Sequence, residues 1–227
     1  MATIYANTQD GYVARLNQSS WSNARANSSG TAASATATNN FQGISGFAQA
    51  GRGGGSVYTI YRSFMAFDTT GISSNVDTAT LKVYGWNQAG GDVIAVKATS
   101  DIATLGTADF EAIEGWDSSG TDGSGGGDME SSVTKYSNEI TTWSSFSYID
   151  IALNAQAKAD MRDNGTINIA LINFDYDLKD VEPTDSTGRN GLFYQNYTGT
   201  SRDPKLVYTL ALPTTTTDNA VFFGTNF

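Results

Sequence analysis

The sequence predicts an all-β protein, a jelly-roll-like antiparallel sandwich with one or two short helices and an extended C-terminal arm. Three observations carry that expectation. The charged fraction is low, at 16 %, and Ser, Thr, Asn and Gly dominate the polar residues, a mixture that suits short strands and tight turns better than helices. Apolar residues alternate with polar ones over short segments, and glycine- or asparagine-rich turns separate those segments. With 39 % hydrophobic residues over 227 positions, the chain also holds enough apolar surface for a real core.

The elements follow in order. "TIYANTQDGYVARL" (3–16) reads as one or two short strands broken at Asp10-Gly11. "FQGISGFAQAGRGGGS" (41–56) begins as a strand and ends in a glycine loop carrying Arg52. "SVYTIYRSFMAFDT" (56–69) is apolar on both faces, with Met65 and Phe67 on one and Phe64 and Ala66 on the other, so it is expected at the centre of a sheet or under a covering partner. "TATLKVYGW" (78–86) alternates, with Ala79, Leu81 and Val83 inward and Thr80, Lys82 and Tyr84 outward. "DVIAVKAT" (92–99) follows, then a short helix over 107–114 with Thr107 as cap and acids in its first turn. After the glycine-rich stretch 115–132 come a strand in 145–153 and a helix over 154–165 that opens on Asn154 and stops at Gly165. "TINIALINFDYD" (166–177) is apolar on both phases, which predicts a bulge or two-sided burial. Strands in 191–198 and 203–212 close the domain, taken as 1–212, and 213–227 is the arm.

Charge and composition exclude several function classes. The net charge is −10 with thirteen basic residues scattered along the chain, so neither nucleic acid nor an anionic membrane is an expected partner. Cysteine and histidine are both absent, which removes disulfides, thiolate chemistry, Ser-His-Asp triads and His- or Cys-ligated metals. Residues 1–20 show neither a basic nor an apolar leader region, and synthesis in a cytoplasm without a signal peptide is the expectation. Asp109, Glu111 and Glu114 near Trp116 imitate a glycosidase pair beside a sugar platform. A helix's first turn accounts for Asp109 and Glu111 more simply, and no enzyme activity is expected.

The order of motifs resembles a known family. "RSFMAFDTTGISSNVDTATLKVYGW" is similar to the strand-turn-strand block of DNRLRE-type β-sandwich modules, relatives of carbohydrate-binding modules. "YIDIALNAQAKADMRDNGTINIALINFDYD" resembles their strand–short helix–strand block, "RDPKLVYTL" their terminal strand, and "DGYVARLNQSSWSNARA" their opening in phage and marine bacterial proteins. The resemblance spans about residues 5–212 and implies a jelly-roll-like, usually non-catalytic module for adhesion, glycan contact or particle assembly. It implies a phage virion structural protein here, a capsid decoration or cement protein or an accessory head or tail component. The expected partners are other virion proteins or further copies of the chain. The alternative it implies is a glycan-binding adhesion module.

Candidate contact residues fall in three groups. The arm "PTTTTDNAVFFGTNF" is stiffened by Pro213 and four threonines. It carries Val221, Phe222, Phe223 and Phe227, apolar side chains that need a groove of their own or a neighbour's surface. Arg52 is a further anchor candidate at its loop tip. Tyr84 and Trp86, on the outward phase of their strand, are the candidate surface for a glycan. Asp175, Asp177 and Asp180, with Glu182 just beyond, supply carboxylates for a Ca²⁺ ion if they converge. Their spacing fits no calcium loop, and a solvated strand end accounts for them without a cofactor.

Overall fold

A computed structural model of the chain describes residues 1–99, 104–117 and 127–212. The arm lies outside the described residues, and with it Val221, Phe222, Phe223 and Phe227. Within them the fold is the expected all-β antiparallel sandwich, built on eleven strands in an open sheet that doubles over on itself.

One layer contains β1 (Ala2–Tyr5), β6 (Val76–Ala89), β8 (Tyr148–Ala152) and β11 (Lys205–Leu210). The other contains β2 (Gly11–Gln18), β3 (Ala32–Ser34), β4 (Asn39–Ala50), β5 (Ser56–Asp68), β7 (Val93–Lys97) and β9 (Thr166–Asn173). β10 (Arg189–Phe193) pairs with β4 on one side and β6 on the other, and so joins the layers. Between them sit Ala79, Leu81 and Val83 from β6, Ile149 and Ile151 from β8, and Met65 and Phe67 from β5, all buried. The inward row read from β6 is therefore borne out, and Thr80, Lys82 and Tyr84 are its half-exposed outer row.

β5 explains why two segments carry apolar residues on both phases. It is flanked by β2 on one side and by β4 and then β9 on the other. Its opposite face, Ile60, Phe64 and Ala66, is buried in a second cluster together with Ala170, Ile172 and Phe174. That cluster is sealed by α1 (Trp21–Arg25), a 3-10 turn at Thr107–Glu111 and the segments around Ile113 and Val133. β9 has the same two-sided burial, with Ile167, Ile169 and Leu171 in the first core. The molecule is thus two sheets plus a covering layer of turns.

Local chemistry sets the element ends. In α2 (Ala155–Asp163) the Asn154 side chain accepts the Ala157 N–H at 3.0 Å, and Gly165 just beyond has φ +67°, as read from sequence. Three expectations need correction. β9 stops at Asn173, whose buried side chain accepts the Tyr176 N–H at 2.8 Å and starts one π-helical turn over Phe174–Leu178. The helix expected over 107–114 ends at Glu111 and is capped by Gly106, whose N–H donates to Asp109 at 2.7 Å. The strand expected through 198 ends at Phe193, where the chain enters a turn closed by Tyr197 N–H to Tyr194 O.

Candidate functional site

The outer face of the first layer gathers aromatic rings that are far apart in sequence. Tyr84 and Trp86 stand on the outward phase of β6, Phe193 on that of β10 and Tyr148 on that of β8. Phe193 is the buried hub, 3 % exposed. Its ring centroid lies 5.6 Å from Tyr84, 5.5 Å from Trp86 and 4.8 Å from Tyr197. Tyr148 meets Tyr84 edge-on at 5.2 Å and Phe41 meets Trp86 edge-on at 5.8 Å. These are the tilted arrangements that ring quadrupoles favour. Phe41 is 49 % exposed, while Tyr84, Trp86, Tyr148 and Tyr197 are half-buried.

Two cations lie across this face. The Arg202 guanidinium is 4.6 Å from the Phe193 ring centre, 4.8 Å from Tyr197 and 5.4 Å from Tyr84. Lys205 Nζ is 4.1 Å from the Tyr148 ring centre and 6.0 Å from that of Tyr5. Neither cation forms a salt bridge among the described residues. Arg202 donates instead to the Tyr197 hydroxyl at 3.2 Å. A cation over ring faces is attracted by about 0.5–2 kcal/mol, depending on how dry the site is.

The frame under the rings is rigid. Tyr84 Oη donates to the Phe146 carbonyl at 2.6 Å, and Tyr148 Oη reaches the Ser201 and Asp203 carbonyls at 3.1 and 3.2 Å. Gly85 lies between Tyr84 and Trp86, and a Cβ there would stand 2.1 Å from the Ser144 carbonyl oxygen. Only glycine lets that backbone pass so close. Phe146 itself takes φ +59° and leaves its ring 62 % exposed beside this face.

Two acids of the calcium candidate, Asp177 and Asp180, meet at a cation of the protein itself, Arg25, at 4.0 and 3.4 Å. Because the chain turns at Phe174, Asp175 and Asp177 no longer share a strand face. Asp177 is fully buried and bound by Arg62 through two contacts of 2.7 Å, Nε to Oδ2 and Nη2 to Oδ1. The Arg62 guanidinium is held between Phe110 at 4.0 Å and Trp116 at 3.9 Å. Asp180 accepts the Trp21 indole N–H at 2.8 Å and lies 3.4 Å from Arg25. Burial holds Arg25 below its ordinary pKa although Asp177 and Asp180 oppose the shift, and burial raises Asp180. Asp175 stays half-buried, apart from the two arginines' contacts. Among the described residues no three acids are grouped to hold a metal.

The remaining candidates are dispersed. Arg52 is exposed at the tip of the β4–β5 loop. A groove of about 410 Å³ opens beside that loop, between Gln49, Gly54 and the Thr184–Ser186 segment, but Arg52 does not line it. Glu114 bonds Lys97 at 2.9 Å and Thr134 at 2.7 Å, interactions that hold its carboxyl below the ordinary range, Lys97 foremost. Trp116 serves the buried arginines. The glycosidase-like group is therefore distributed over a cap, an ion pair and a stack.

Sequence reading finds Tyr84 and Trp86 but misses Phe41, Tyr148, Phe193, Tyr197, Arg202 and Lys205. Alternation holds the signal for three of them, since Leu192, Ile149 and Leu206 point inward and their neighbours Phe193, Tyr148 and Lys205 outward. Compared with known proteins, the chain matches no protein-family model and no curated protein at a meaningful level. No helix among the described residues is long and apolar enough to cross a membrane.

Proposed function

We propose that this chain is a non-enzymatic virion structural protein, a capsid decoration or cement protein or an accessory head or tail component. It engages other virion proteins or copies of itself through its arm and its apolar surface. The observation that carries the reading is the outer face of Tyr84, Trp86, Tyr197 and Arg202 around Phe193. Tyr, Trp and Arg are the residues that dominate protein–protein hot spots, because each combines a large buried area with a polar handle. The resemblance of the motif order to DNRLRE-type modules supports the virion context, and the arm with its three phenylalanines supplies a segment suited to a neighbour.

Sedimentation of the full-length protein beside a form ended after Leu212 tests this. All ladder bonds of β11 precede that point, and among the described residues the last backbone bond runs from Ala211 N–H to Asn75 O at 2.8 Å. The proposal expects the full-length protein to assemble with rising concentration and the shortened form to remain monomeric with an unchanged thermal midpoint. Equal behaviour of the two removes the arm from the account.

A second reading, a glycan-binding adhesion module, is favoured by one observation, the half-exposed Trp86 beside exposed Phe41. Ring geometry weighs against it. A sugar platform offers a ring face to solvent, whereas here Trp86–Phe41 and Tyr84–Tyr148 cross at 88° and Arg202 covers the Tyr84 ring. Titration of tryptophan fluorescence with a panel of oligosaccharides decides it, a saturable change lost in Trp86→Ala being the result that would promote this reading.

A further inference from the structure

β11 relates the arm to the aromatic face. It runs from Lys205, beside Tyr148, to Leu210, paired with Val76 at the far end of β6. Trp86 lies ten residues along β6 from Val76, about 33 Å at the rise of an extended strand. The chain thus leaves the described sandwich at the end of β6 opposite Trp86. Ala211 still runs beside Asn75, and Leu212 is 89 % exposed.

We propose, resting on the assembly reading above, that the aromatic face of one copy receives Val221, Phe222 and Phe223 from the arm of a second copy, in a head-to-tail contact. Chain length selects the second copy over the first. Ten residues join Leu212 to Phe222, a reach of at most about 33–36 Å. Returning to its own Trp86 would take that full reach and leave nothing for reversing direction. A second copy placed end to end presents its aromatic face near the first copy's exit. The eight residues 213–220 then suffice as a stem of up to about 26 Å.

Chemistry points the same way. The face is lined by rings with Phe193 sunk beneath them, a surface that receives phenyl groups through tilted contacts. Arg202 and Lys205 have no carboxylate in salt-bridge range among the described residues. The stem carries Asp218, three residues before Val221. In a protein of net charge −10, a cationic face meeting an acidic stem also lowers the repulsion between copies. Such a contact joins two different surfaces and repeats, closing into a ring or extending as a filament.

Complementary full-length variants test the contact. The face variant carries Trp86→Ala and Arg202→Ala and keeps its arm. The arm variant carries Phe222→Ser and Phe223→Ser and keeps its face. Sedimentation velocity on wild type, on each variant alone and on an equimolar mixture gives the readout, with circular dichroism melts confirming that both fold. The proposal expects wild type to assemble and each variant alone to require at least roughly 30-fold higher concentration. The mixture is expected to stop at a one-to-one complex, in which the intact arm of the face variant sits on the intact face of the arm variant. If the face variant assembles like wild type while the arm variant does not, the arm works on another surface, and this proposal falls while the assembly reading stands. If the arm variant assembles like wild type, the arm reading itself fails. A monomeric wild type overturns the head-to-tail contact, and a change of tryptophan fluorescence on Phe222→Ser/Phe223→Ser that vanishes in a Trp86→Ala background would then place the arm on its own sandwich.

Discussion

Two arginines on opposite sides of the molecule stack on aromatic rings, and their surroundings differ. Arg62 lies between Phe110 and Trp116 at no exposure, with both oxygens of Asp177 as partners. Arg202 lies over Tyr84, Phe193 and Tyr197 half-exposed, with no carboxylate in salt-bridge range among the described residues. The first is closed chemistry: desolvation of the pair is offset by a bidentate bond and two ring faces, and nothing is left to bind a partner. The second keeps its charge available beside rings that are partly wet. Arginine over aromatics is therefore a buried architectural device in one place and a half-exposed surface feature in the other, and the bound carboxylate makes the difference.

The largest expected effect comes from breaking the closed site. Asp177→Asn leaves a buried guanidinium without its counter-charge and should cost about 3–5 kcal/mol in denaturant unfolding. Arg62→Met combined with Asp177→Leu should cost less than the single change, because only Arg25 then loses a counter-charge, and it keeps Asp180 at 3.4 Å. A double variant as damaged as Asp177→Asn would mean that shape, not charge, holds the covering layer. Next comes the frame of the open face. Gly85→Ala must displace the Ser144 backbone from 2.1 Å and should cost about 1–3 kcal/mol, read in the same unfolding experiment. Arg202→Ala should cost less than about 1 kcal/mol, since a half-exposed cation over rings contributes little to folding. A loss as large as that of Asp177→Asn would erase the distinction between the two arginines.

A third buried group behaves differently from either arginine. Asp10 is fully buried and accepts the Gln195 N–H at 3.0 Å, with no cation bridged to it among the described residues. Burial drives its pKa well above the ordinary carboxylate value, the Gln195 N–H pulls it back, and Asp203 adds to the rise. A carboxyl that holds its proton more tightly when folded contributes stability that is fully present below about 3.9, the ordinary Asp value. That contribution is lost as pH rises through the raised folded value. Glu114 acts oppositely, its depressed pKa giving stability that is lost as pH falls. Comparing wild type with Asp10→Asn isolates the first contribution. The thermal midpoint of the variant should gain relative to wild type as pH rises from 4 to 8, in a melt series at about unit intervals. A difference that stays constant with pH would contradict the assignment.

The sequence announces the sandwich through burial pattern. Met65 and Phe67 against Phe64 and Ala66 already require a strand covered on both sides, and Asn154 and Gly165 bound their helix by cap chemistry alone. What escapes reading depends on long-range contacts. Arg62 and Asp177 stand 115 positions apart, and no local pattern marks a charged residue on an apolar strand face as paired. The π-helical turn escapes because "NFDYD" continues the apolar alternation of β9, while the buried Asn173 cap ends the strand. α1 escapes because one turn of helix capped by Ser20 is shorter than any hydrophobic period. At the open face, Tyr84 and Trp86 can be read from alternation, but Phe41, Tyr197 and Arg202 come from segments outside that pattern and reach it only through the fold.

The most direct test of the open-surface claim is sedimentation velocity of the Trp86→Ala/Arg202→Ala protein against wild type over a wide concentration range, with melts in parallel. Wild type is expected to assemble and the variant to stay monomeric at the same concentrations while its cooperative unfolding stays intact. A variant that assembles like wild type would contradict it, and the aromatic face would then be packing like any other.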